Sequence, residues 1–289
     1  MSSRLGALEL RGLVGLNSCG VRAGKMASVA QVVIVDTPRE AGELVGSAIL
    51  LALQQKPDLV LGLATGSSPQ PVYLELARRI KQEKIDVSQL RCFALDEYVG
   101  LSPDHPASYH STIHTSVVVP LGLSPDLVAV PPGSFDDVLS AGRDYEEKIE
   151  RAGGVDIQLL GLGSNGHIGF NEPGSSLASL TRVKTLTEQT RVDNARFFDS
   201  LKDVPTHCVT QGIGTILRSK RIFLFAFGAT KSEAVARAVE GPVSSACPGS
   251  AIQLHPRVTV IADEAAAAGL SQIDYYRHAW TSRPEWQQL

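Results

Sequence analysis

From Gln31 onward, short β-branched or aliphatic runs alternate with longer amphipathic stretches, and this alternation limits the fold more than any other feature. The runs are QVVIVD (31–36), DLVLGLATG (58–66), RCFALDEY (91–98), VDIQLLGLG (155–163), RIFLFAFG (221–228) and RVTVIAD (257–263). Several are apolar at consecutive positions, as expected of strands covered on both faces. Between the first two lies a well-signalled helix. Thr37 is placed to cap it, Pro38 suits its first position and Glu40 falls in its first turn. Strands alternating with helices predict an α/β architecture, Rossmann-like, with a mostly parallel sheet and helices on both faces. In such sheets ligands bind outside the carboxyl ends of the strands, so the residues there are read for chemistry.

The 289 residues contain no internal repeat or low-complexity linker. The reading is one domain over 28–289, preceded by a disordered extension over 1–27 that carries Arg4, Arg11, Arg22 and Lys25 against the single acid Glu9. With 27 basic and 30 acidic side chains, no global basic field attracts nucleic acid or anionic lipid. The apolar runs fall short of the roughly 20 residues of a membrane span. Cys19, Cys92, Cys208 and Cys247 are widely spaced, none at metal-ligand spacing. That predicts a reduced, cytoplasmic protein without a metal site.

Four segments are candidates for chemistry. Ala64-Thr65-Gly66-Ser67-Ser68-Pro69 follows an apolar run and precedes a helical one. Small residues there let the backbone approach an anion, and hydroxyls and free helix N–H groups can bind it. The competing reading is a plain turn with a serine cap. Asp96 and Glu97 close the third run, where a carboxylate in a crevice is a candidate general base; alternatively they are two solvated acids on a turn. In Gly161-Leu-Gly-Ser-Asn165-Gly-His167-Ile-Gly-Phe-Asn-Glu172-Pro173-Gly, one histidine and one acid stand in a glycine-rich loop after a strand. A carboxylate acting on such a histidine fixes its tautomer and raises its basicity. Arg196 and Lys231 are basic positions able to hold a phosphate, or else solvated cations.

Together these segments resemble the glucosamine-6-phosphate deaminase family. The likeness runs from about Ala30 to Ala267, through ATGSSPQPVY, LDEYVGL with HPASYH, GLGSNGHIGFNEPGSSLASLTRVKTL, RVDNARFF, VTQGIGTIL and LHPRVTVIADE. It implies isomerising deamination of glucosamine 6-phosphate to fructose 6-phosphate and ammonia, without cofactor. Asp96 would move a proton from carbon 2 to carbon 1 of the opened sugar. His167 would assist ring opening, oriented by Asn165 and Glu172. Thr65, Gly66, Ser67 and Ser68 would hold the phosphate with Arg196 and Lys231. Some members carry Asp where this chain has Asn165, which leaves Glu172 to stabilise a protonated His167.

The resemblance also raises a homo-oligomer, because allosteric members are hexamers that bind N-acetylglucosamine 6-phosphate. Ser175, Arg182, Lys184 and Thr185 match that regulatory site, but VSSACPG (243–249) lacks the Trp found there in hexameric members. Two alternatives compete with the deaminase. A 6-phosphogluconolactonase-like hydrolase needs no base at carbon 2. A sugar-phosphate sensor would carry a helix-turn-helix segment, for which residues 1–30 are too short and glycine-rich.

Overall fold

The computed structural model describes residues 31–136, 138–284, 287 and 289. The extension expected over 1–27 lies outside them. Each of the six sequence runs forms a strand: β1 (Gln31–Val35), β2 (Val60–Leu63), β3 (Arg91–Ala94) and, further on, Ile157–Gly161, Ile222–Ala226 and Val258–Asp263. Four short strands complete the described set. In chain order these are β4 (Asp96–Tyr98), β5 (Val128–Ala129), β7 (Arg182–Thr185) and β8 (His207–Thr210), so the later runs are β6, β9 and β10.

One sheet has the order β1-β10-β9-β6-β2-β3-β5, with every named pair parallel. Helices α1 (Pro38–Gln55) and α2 (Gln70–Glu83) cover one face. There Leu61, Leu63, Phe223 and Phe225 pack with Val45, Ile49 and Leu76. The opposite face carries Val60 and Phe93 under Tyr145 and Ile149 of a helix spanning Val138–Arg151. Alongside them, Leu224 and Ala226 lie under Ala234 and Val235 of a helix spanning Ser232–Val239. Full burial of each large apolar side chain contributes about 1.5–3 kcal/mol, which explains why consecutive strand positions are apolar.

Helix α1 starts as its sequence predicts. The Thr37 hydroxyl accepts from the Glu40 amide (3.2 Å), and the Glu40 carboxylate reaches back to the Asp36 amide (3.0 Å). Two N–H groups at the helix start are thereby satisfied.

The third run departs from expectation. It is not one strand ending in two acids. The Leu95 amide still bonds the Leu63 carbonyl (3.0 Å), but the Leu95 carbonyl accepts from the Gln211 amide (2.7 Å). From Asp96 the chain leaves the parallel sheet and pairs antiparallel with β8, which also pairs with β7. A second, three-stranded sheet, β4-β8-β7, results.

Candidate functional site

The strands β9, β6, β2 and β3 are successive neighbours in the parallel sheet. Their carboxyl ends deliver Lys231, the Asn165–Glu172 loop, the Thr65–Ser68 loop and Asp96 to one edge. Three inter-strand gaps of about 4.8 Å make a mouth roughly 14 Å across.

The Thr65–Ser68 loop is the turn into α2, whose cap position is Pro69 and whose first turn has no side-chain cap. The serine-cap reading therefore fails, and the hydroxyls of Ser67 and Ser68 do not serve the helix. Gly66 has φ +87° with open space around it, a conformation that side chains disfavour. Ser68 lies against Gly161 at the end of β6. Thr65 is half-buried beside the Tyr109 hydroxyl.

In the loop after β6, His167 Nδ1 lies 2.7 Å from Asn165 Oδ1, which also accepts from the His167 amide (3.1 Å). Asn165 Nδ2 donates to Glu172 Oε2 (2.9 Å). An amide oxygen only accepts, so Nδ1 carries the proton and Nε2 the free lone pair. Glu172 is buried, 3.6 Å from His167 Nδ1, and its other oxygen accepts from the Thr187 hydroxyl (3.2 Å). Burial pulls the imidazole below its ordinary pKa and Lys231 adds to this, while Glu172 and Asp193 oppose it. A neutral ring that can take up a proton near a carboxylate is the outcome. Gly163 permits this packing, because a Cβ there would meet the ring at 2.3 Å.

Asp96 and Glu97 are not solvated; both are buried. Burial first, then the charge of Glu97, pushes Asp96 up to about 8, while the Phe170 amide opposes. Asp96 has no ion-pair partner among the described residues. Its carboxylate lies close to Gly169 of the histidine loop, at 3.4 Å from where a Cβ would stand. Glu97 instead accepts backbone amides, from Tyr98 (2.7 Å), Tyr109 (2.9 Å) and His110 (2.8 Å).

Lys231 ends the turn after β9, directly before the Ser232–Val239 helix. Burial and the nearby Arg196 lower its pKa, and Asp193 opposes them. Arg196 comes from a turn (Ala195–Phe197) between β7 and β8, is exposed and stacks over Phe197 at 4.8 Å. The two cations are thus electrostatic neighbours, and Lys231 also acts on His167. Sequence reading missed three groups here: Asp193, Glu97 as a backbone acceptor, and Tyr109, which lay unread within HPASYH. Nothing in the local pattern marks them, since their partners lie elsewhere in the chain. No cluster of metal-ligating side chains occurs among the described residues, and no described helix is long and apolar enough to cross a membrane.

A family profile described as glucosamine-6-phosphate isomerases/6-phosphogluconolactonase matches residues 36–261. The chain belongs to that family. Within it, the glucosamine-6-phosphate deaminase of Bifidobacterium longum (strain NCC 2705) is 56% identical over 266 residues, covering 89% of this chain and 98% of the relative. The deaminase of Arthrobacter sp. (strain FB24) is 54% identical, covering 90% and 100%. A solved structure described as a monomeric glucosamine-6-phosphate deaminase aligns with TM-score 0.81 at 43% identity, over 83% of this chain and 99% of that one. The 6-phosphogluconolactonase of Trypanosoma brucei aligns with TM-score 0.67 at 19% identity, over 84% and 99%, and shares the fold.

Proposed function

We propose that this protein converts glucosamine 6-phosphate and water into fructose 6-phosphate and ammonia in the cytoplasm, using side-chain acid–base groups alone. The observation that carries this reading is the buried Asp96 carboxylate, without a cationic partner among the described residues, packed against Gly169 and Phe170 of the histidine loop. Burial and a like charge make a carboxylate a stronger base than in water. Lactone hydrolysis needs no base at carbon 2, whereas aldose–ketose isomerisation does.

In the proposed route the phosphate rests on Thr65, Gly66, Ser67 and Ser68, and Arg196 and Lys231 neutralise it. His167 shuttles a proton between the anomeric hydroxyl and the ring oxygen, which opens the sugar; Asn165 fixes its tautomer and Glu172 stabilises its charged form. Asp96 takes the proton from carbon 2, leaving an enolamine, and returns a proton to carbon 1. Water then adds to the resulting imine carbon, and ammonia leaves.

Ammonia release from glucosamine 6-phosphate, run beside ester hydrolysis of 6-phosphogluconolactone, tests the reading. Turnover of the lactone alone would overturn it. Of the four positions that resemble a regulatory site, Arg182 donates to Asn171 Oδ1 (2.9 Å) and Ser175 is buried. Rates hyperbolic in substrate are therefore expected without activator; sigmoidal rates made hyperbolic by N-acetylglucosamine 6-phosphate would contradict this.

A further inference from the structure

We infer that Glu97 is a positioning residue for the proposed base: its buried carboxylate ties β4 to the first turn of α3 (Tyr109–Ile113), setting Tyr109 against the phosphate loop and a negative charge beside Asp96. The inference deepens the deaminase reading and rests on it.

The geometry is specific. Glu97 Oε1 accepts from the amides of Tyr98 and Tyr109, and Oε2 from the amide of His110. The next amide of α3, Ser111, is taken by the Ser108 hydroxyl (3.0 Å). One carboxylate from β4 and one serine thus satisfy the start of α3 between them. Gly133 walls the site, since a Cβ there would stand 2.2 Å from the Tyr98 carbonyl and 3.0 Å from Glu97 Cγ. A side chain at 133 would displace Glu97, which is itself buried. The bonds it accepts hold the Tyr109 ring against both Tyr98 (centroids 4.9 Å) and Phe170 (5.7 Å), which also touch each other (5.5 Å), with its hydroxyl at Thr65. Phosphate loop, base and α3 become one rigid unit.

The charge matters as well as the reach. Burial leaves the Glu97 carboxyl raised above its ordinary value, and the three amides and His110 limit that rise. Tyr98, Tyr109, Tyr145 and Cys208 also face Asp96, and burial keeps each of these neutral at the pH values of interest. Glu97 is the neighbour whose charge acts on Asp96 as a like charge.

The test is the pH profile of kcat/KM for ammonia release by wild type, Glu97→Gln and Glu97→Asp, with thermal unfolding of each. Substrate ionisations are common to all three, so a difference in the acid limb belongs to the protein. In Glu97→Gln the limb is expected to move to lower pH by about half a unit or more, with plateau kcat about tenfold lower. Glu97→Asp keeps the charge and loses reach, so its limb should stay at the wild-type pH while kcat falls. An unmoved limb in Glu97→Gln overturns the inference, as does full kcat in Glu97→Asp, which decides the matter if the glutamine variant does not fold. A wild type that releases no ammonia overturns the deaminase reading and this inference together. An active wild type with an unmoved limb overturns this inference alone.

Discussion

At the scale of single residues, the site trades stability for basicity. Because the folded pKa of Asp96 lies near 8, far above its unfolded value, the native state holds a proton that the unfolded state has released between those two values. Stability contributed at this position therefore declines as pH rises through that window. Asp96→Asn is expected to raise the melting temperature at pH 8 while kcat falls at least roughly a hundredfold with KM little changed. Exchange of the carbon 2 hydrogen with solvent should vanish too; wild-type exchange in that variant would remove Asp96 from the mechanism. Lys231 is proposed to work on binding instead. A charged contact to phosphate is worth about 1.5–3 kcal/mol, so Lys231→Ala should raise KM roughly tenfold or more, and an unchanged KM would contradict a phosphate at this position.

Loops and strands set how sharply those residues are placed. The ring of His167 fits only because Gly163 has no Cβ. Gly163→Ala should displace the ring and lower kcat by about tenfold or more, with a melting curve that stays cooperative. Such a variant, like His167→Gln, should be partly rescued by open-chain substrates, and Asp96→Asn should not. Much at this level was legible in the sequence. The apolar runs declared the parallel strands, Thr37-Pro38-Glu40 declared α1, and glycines around one histidine and one glutamate declared the loop that pairs them. The break at Leu95 was not legible, because Leu95 is as apolar as the residues before it and the groups that divert the chain, the Gln211 amide and strand β8, lie more than 100 positions away. Strands β7 and β8 were hidden for a related reason. They are four residues each, and the half-exposed, exposed alternation of Arg182–Thr185 imitates a loop. Glu97 looked like a surface acid because its amide partners on α3 lie 12 and 13 positions away.

For the whole molecule, the end of the parallel sheet remote from the site is locked by Asp156. Its buried carboxylate accepts from Lys56 at the end of α1, from Lys220 before β9 (2.6 Å), and from the Val60 amide of β2 (2.8 Å). Burial alone would raise this carboxyl, but the two ammonium groups and the amide outweigh it, and the pKa ends below its ordinary value. A depressed folded value contributes stability at pH above the unfolded pKa and loses it as pH falls through the folded one. Asp156→Asn should cost about 1–3 kcal/mol at neutral pH, between surface and fully buried pairs because the lysines reach solvent. The deficit against wild type should shrink in urea titrations carried down toward pH 3. A deficit that stays constant with pH would mean that packing, not charge, is what the aspartate supplies.

The turn of the chain at Leu95 has an evolutionary consequence. The groups proposed to grip phosphate at Thr65–Ser68 and Lys231 hang from the large parallel sheet, while Asp96 stands on the small antiparallel one. Most of the proposed handle therefore rests on one sheet, and the proposed carbon 2 base on the other. A lineage can rebuild β4, and with it the step proposed for Asp96, while the Thr65–Ser68 loop and Lys231 stay in place to hold a phosphorylated sugar. Mutational paths between chemistries on this scaffold need never pass through a protein that binds nothing.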